Sequence, residues 1–128
     1  MKKYLIISSI LGLLTVILGA FGAHALEKIL TENQLKSFET AVRYQMYHVL
    51  VIIIVNVYTE FSIRTKSIIS NLFLSGILFF SGSIYAITFG VNSKNIWFIT
   101  PIGGFVLIIG WVFLIFFVIT LKSKKNDQ

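Results

Sequence analysis

Cysteine is missing from this chain of 128 residues, which excludes disulfides, thiolate nucleophiles and cysteine metal sites. Charge is scarce too: Asp, Glu, Lys and Arg make up 12%, against roughly 25% in an average soluble domain. Only five residues are acidic and only one is proline, Pro101. There is no internal repeat, no low-complexity tract and no polar stretch long enough for a soluble domain. What fills the chain instead is apolar, 56% of it, with a mean hydropathy of +0.88. Such a composition is that of a membrane protein, and the length is that of about one domain.

The charges divide the chain into four charge-free runs, Tyr4 to Leu26, Tyr44 to Thr59, Ser67 to Ser93 and Asn95 to Leu121. A transmembrane helix needs about 20 mostly apolar residues, so three runs qualify outright and the second is short. The expected fold is all-α, a four-helix transmembrane bundle forming a single domain, with spans at about 4–25, 41–60, 67–89 and 100–121. With both termini cytoplasmic, the inner segments hold Lys2, Lys3, Arg64, Lys66, Lys122, Lys124 and Lys125, and the outer ones Lys28, Lys36, Arg43 and Lys94. That bias follows the positive-inside rule and accounts for the net charge of +6 without nucleic acid as a partner.

Ala23-His24-Ala25 behind Lys2 and Lys3 also reads as the cleavage site of a signal peptide. The apolar run of 23 residues exceeds the about 7 to 15 of such a peptide and is long enough to span, so a retained helix is expected. Further on, Thr31 with Gln34 fits a capping box, and Leu35, Phe38 and Val42 form an amphipathic stripe. No Gly or Pro interrupts the chain from there to Thr59, so an amphipathic helix should feed directly into span 2. Because Tyr44 to Thr59 rises only about 24 Å, Arg43 is drawn toward the boundary, where Glu39 four residues earlier can pair with it. Thr100-Pro101 reads as an N-cap followed by a first-turn proline. Small residues mark helix-packing faces: Gly19, Gly22 and Ala23 in span 1, Gly76, Gly82 and Ala86 in span 3, Gly103, Gly104 and Gly110 in span 4.

This topology gathers polar residues in the outer half: His24, Glu39, Arg43, Tyr44, Gln45, His48, Ser81, Ser83 and Thr100. The inner half is expected to be nearly all Ile, Leu, Val and Phe, with Asn56 and Thr59 as its polar exceptions. Estimated depths put His24 and His48 level on neighbouring helices. There they would share a metal or haem, relay protons, or simply hydrogen-bond carbonyls and hydroxyls. Two histidines lack the third protein ligand that catalytic zinc needs. Ser81-Gly82-Ser83 offers nucleophiles only if a histidine base reaches them, and packing is the commoner use of such residues.

The motifs GAFGAHAL, FETAVRYQMYHVL, GILFFSGSIYA and ITPIGG occur in this order. They resemble the small four-span bacterial membrane proteins of the YgdD and YwdK type, a domain-of-unknown-function family with eukaryotic relatives, over Leu11 to about Gly110. The family signature falls on Gly19, Gly22, His24, Glu39, Arg43, Tyr44, Gln45, His48, Ser81, Gly82, Pro101 and Gly104. The resemblance implies an uncleaved four-helix protein of the bacterial cytoplasmic membrane and carries no activity to transfer. The expectation is a non-enzymatic protein whose polar cluster binds a lipid headgroup, a small ligand or a membrane-protein partner, further copies of the chain included. No catalytic residue, metal or cofactor is assigned. The alternatives are a small oligomeric channel or proton-linked transporter and, after it, an intramembrane enzyme or haem- or metal-binding protein.

Overall fold

Each long apolar run folds as one helix in the computed structural model, which describes residues 1–126, except for the side chains of Ala23 and of 122–126. The elements are α1 (Lys2–His24), a 3-10 turn (Leu26–Lys28), α2 (Glu32–Val57), α3 (Ile63–Thr88), the single turn α4 (Ser93–Ile96) and α5 (Ile99–Asn126). No strand occurs among the described residues. Four of the helices are long and apolar enough to cross a membrane.

Local chemistry sets the ends. Thr31 is extended, its Oγ1 accepts from the backbone N–H of Gln34, and Gln34 Oε1 accepts from Thr31 N at 2.9 Å. This capping box starts α2 well before the apolar run, so the amphipathic extension and span 2 are one helix. Ser62 caps α3 through the N–H of Thr65. At the other end of α3, Gly90 takes φ 109° while its N–H reaches Ile87 O and that of Val91 reaches Ala86 O. This pairing ends the helix on a left-handed residue, a conformation glycine adopts without strain. The expected Thr100 cap is overturned: α5 already starts at Ile99. Pro101 sits inside that first turn, where its missing N–H would have no helical partner anyway.

The helices run alternately up and down. Packing joins α1 to α2, α2 to α3 and α3 to α5, so α2 and α3 form the central pair with α1 and α5 on their flanks. Over an apolar stretch of 18 residues in each helix, 39% is buried in α2 and in α3, against 17% in α1 and in α5. The flanking helices turn Ile6, Ile10, Leu13 and Ile17, and Phe105, Ile109, Val112 and Phe116, outward, a surface suited to lipid tails. Inside lie Val49, Ile52, Ile69, Phe73, Ile77 and Leu107.

Of the small residues expected at close contacts, four hold helices together. A Cβ on Gly103 would run into the α3 backbone at Phe79 and Phe80; one on Gly76 would meet Leu107, one on Gly110 the Phe73 ring and one on Gly22 the Phe38 ring. Gly19, Gly82 and Gly104 are not close-packing positions, because a Cβ there would find only ordinary contact at 3.6 to 3.9 Å. Ala86 is half-buried, and the side chain of Ala23 lies outside the described residues.

Candidate functional site

Three interlocking sets of polar contacts tie the helices together at the level of the expected cluster. Gln45 Nε2 donates to Leu11 O at 2.9 Å and Gln45 Oε1 accepts from the Tyr85 hydroxyl at 3.0 Å, joining α1, α2 and α3. Ser81 Oγ donates to Ala41 O at 2.7 Å, and Ser83 and Thr100 share a hydroxyl hydrogen bond of 2.6 Å between α3 and α5. Trp111 Nε1 donates to His48 Nε2 at 3.1 Å, and His48 Nδ1 lies 2.7 Å from Tyr44 O. Indole only donates, so Nε2 accepts and Nδ1 carries the proton to the carbonyl. Both ring nitrogens are thus in use, and the ring is packed against Phe73 at 5.2 Å.

His24 is not part of this site. On α1 the residues facing α2 pair as Gly22 with Phe38, Gly19 with Val42 and Gly12 with Val49. His48 is therefore level with about Gly12, and His24 lies roughly 17 Å further along by helical rise. It is exposed at the end of α1. Charges give the wrong ruler here: Glu27 and Arg43 are not at one depth, because α2 begins so far above Arg43. Phe38 is level with Gly22 of α1 and, through an edge contact at 6.3 Å, with Phe89 at the end of α3. From Phe38 to Val57 the helix rises about 29 Å, the thickness of the hydrocarbon core, and Arg43 falls about a turn and a half inside that length.

The expected apolar inner half is also corrected. Asn56 Nδ2 donates to Ser70 Oγ at 2.7 Å, Lys66 Nζ donates to Asn56 O at 3.0 Å, and the Tyr4 hydroxyl donates to Asn71 Oδ1 at 3.0 Å. Ser8, Asn56, Lys66 and Ser70 are all buried. Lys66, expected in a loop, sits in the first turn of α3 and caps the carbonyl end of α2, where a cation is favoured. Polar fasteners therefore occur at both ends of the bundle. Serines and asparagines scattered in apolar runs were the signal for them.

Glu39 and Arg43 remain outward. They approach to 3.8 Å and both are half exposed, while Arg43 Nη2 donates to Thr40 Oγ1 at 3.2 Å. So long a contact in an exposed pair holds Arg43 weakly. The pair borders a cavity of about 150 Å³ between α1 and α2, with Gly19, Gly22, Phe38 and Val42. Further along α2, between it and α5, lies a groove of about 480 Å³, walled by Tyr44, Tyr47 and His48 on one side and Leu107, Ile108 and Trp111 on the other. Tyr44 stacks on Phe80 at 4.9 Å, which fixes the rim. Among the described residues no three of His, Cys, Asp and Glu come together as a metal site.

A family described as protein of unknown function (DUF423) matches residues 18–104. A UPF0382 membrane protein of Haemophilus influenzae is 37% identical over 97% of this chain and 98% of its own length. The UPF0382 membrane protein YwdK of Bacillus subtilis is 36% identical, covering 90% of this chain and 94% of its own. The UPF0382 inner membrane protein YgdD of Escherichia coli is 35% identical, covering 94% and 92%. No solved structure matches.

Proposed function

The chain belongs to the DUF423 family of membrane proteins, and on that premise we propose that it works without catalysis, by holding an anionic amphiphile of the bilayer. The head would sit at Arg43 and the hydrocarbon in the α2–α5 groove. The observation that carries this reading is the groove itself, whose wall residues Tyr44 and Tyr47 follow one and four residues after Arg43 on α2, a half-exposed, weakly paired cation that borders the α1–α2 cavity. The groove's volume falls in the range of about 300 to 1,000 Å³ common to ligand sites. A guanidinium suits a phosphate because its donors form a planar fork, and the partly exposed Tyr44 and Tyr47 rings border the same opening.

The rest of the expected cluster supports a non-enzymatic role. Ser81, Ser83, Thr100, Gln45 and His48 spend their hydrogen-bonding groups on joining helices, and neither serine is bonded to a histidine base, which nucleophilic catalysis needs. Native mass spectrometry from mild detergent tests the reading. Phosphatidylglycerol is expected to stay bound about tenfold more than phosphatidylcholine, the effect of one charge-assisted hydrogen bond. Arg43→Gln should erase that preference; equal retention of the two lipids by the unaltered protein would refute it.

We place the protein in the bacterial cytoplasmic membrane with both termini on the cytoplasmic side, because seven basic residues then lie inside against four outside. A single cysteine introduced at position 36 should react with an impermeant maleimide in whole cells, and one at position 64 should not. The reverse pattern would invert the topology.

A further inference from the structure

Asn71, Ser75, Leu78 and Gly82 follow one another along the outer side of α3 at steps of four, three and four residues. Asn71 and Ser75 are exposed, and Leu78 is 66% exposed. A Cβ on Gly82 would meet nothing but Leu78 of its own helix, at 3.9 Å. The smallness of Gly82 therefore serves no contact inside the chain.

Two polar groups on this ridge lack partners. Among the described residues Ser75 makes no hydrogen bond, and Asn71 makes one, accepting from the Tyr4 hydroxyl through Oδ1 while both amide donors stay unused. Arg64, the nearest exposed charge on α3, comes seven residues before Asn71, so Asn71 and Ser75 stand roughly 10 and 16 Å further along the helix by its rise. At the depth of Ser75 no water replaces a missing partner, and lipid tails cannot supply one. The outward faces of α1 and α5 show the contrast. Ile, Leu, Val and Phe dominate them, and on α1 Ser9 stands alone between Ile6, Ile10 and Leu13.

We infer that this ridge is where a second copy of the chain docks, α3 against α3. A symmetric pair of copies inserted the same way has its two-fold axis along the membrane normal, so each residue meets its own counterpart at the same depth. Such an interface needs residues that complement themselves. An amide both donates and accepts, as does a hydroxyl, and glycine lets two backbones approach; a charged residue would repel its counterpart. The ridge holds those types and no charge. Alternate steps of four and three residues make the seam of a left-handed crossing. The groove of about 390 Å³ between α1 and α3, walled in part by Leu11, Leu14, Leu78 and Gly82, leaves the second copy's Leu78 a place to seat. This face is separate from the α2–α5 groove, and the pairing is independent of what binds there.

The chain has no cysteine of its own, so single cysteines in the full chain can be compared in native membranes under a mild oxidant. A disulfide forms only where two Cα atoms come within about 7 Å. Ser75→Cys is expected to give a cross-linked dimer, whereas Ile10→Cys on α1 and Ile109→Cys on α5, at positions 53% and 43% exposed, are not. In native mass spectrometry from mild detergent, Gly82→Leu and Ser75→Leu should each raise the dimer's dissociation constant about tenfold. Their unfolding midpoints should match the parent's, because neither position is packed within the chain. Dimers that survive both leucines, or cross-linking at 10 or 109 as readily as at 75, put the interface elsewhere and overturn the proposal. A chain that stays monomeric, or a position 75 that cross-links only to a different protein, overturns it as well and leaves the ridge to lipid or to that protein.

Discussion

Replacing Gly103 with valine is expected to cost about 3 kcal/mol, the upper part of the usual range for overpacking a core. A Cβ at this position would stand 2.7 Å from Phe79 C and from Phe80 Cα. Those are backbone atoms in the middle of α3, so no side chain can rotate away and the two helices must separate. Separation would also pull Thr100 from Ser83, whose hydroxyls lie 2.6 Å apart. The neighbouring Gly104 is the control, since its nearest atom outside the helix is the edge of the Phe80 ring at 3.8 Å. Gly104→Val should cost less than about 1 kcal/mol. Reversible unfolding in mixed micelles measures both, and equal losses would mean that α3 and α5 are not in the register described.

Phe73→Ala is the second large effect, expected at about 2 to 3 kcal/mol. In a soluble core the change costs about 3 to 5 kcal/mol. Lipid tails are as apolar as the bundle interior, so the transfer part of that loss shrinks in a bilayer, and what remains is the cavity and its missing dispersion contacts. Phe73 is fully buried, with its ring 5.2 Å from that of His48 and 5.6 Å from that of Trp111. Losing it removes the support behind the His48–Trp111 hydrogen bond, so the α2–α5 groove should loosen along with the fold. Phe79→Ala, at a position 40% exposed, should stay within about 0.5 kcal/mol of the parent. Comparable losses at 73 and 79 would show that Phe73 is not at the centre of the packing.

Much of the fold could be read from charge alone. The charge-poor runs located the four long helices, and Thr31 with Gln34 located the start of α2. The sidedness of the helices could not be read. In α1 and α5 both faces are apolar, because one meets protein and the other lipid, so the periodicity that marks a buried face in a soluble helix is absent. For the same reason Gly103 and Gly104, adjacent and chemically identical, differ only in the direction they face. Register was the other missing piece: Gln45 meets Leu11, 34 residues away, and Tyr4 meets Asn71, 67 away. Neither distance leaves a local signal. Counting from charged residues puts His24 beside His48, whereas the depth of α1 is set by how Gly22 seats on the Phe38 ring.

The same logic explains why the polar residues of the signature divide into two kinds. Those directed between helices, Gln45, His48 and Ser81, are fasteners, strong because a bilayer interior offers no water to replace a lost partner. Arg43 is directed outward and keeps donors to spare. Sequence alone does not separate them, since Arg43, Gln45 and His48 lie within about a turn and a half of one another on α2.

Trp111 reports on the groove directly, as it lines it and is one of only two tryptophans. With Trp97, 66% exposed, changed to phenylalanine, its fluorescence can be followed in bilayers containing brominated lipid. At equal mole fraction, quenching should be stronger with brominated phosphatidylglycerol than with brominated phosphatidylcholine, and Arg43→Gln should abolish the difference. Identical quenching by the two lipids with Arg43 intact would contradict an anionic amphiphile seated between α2 and α5.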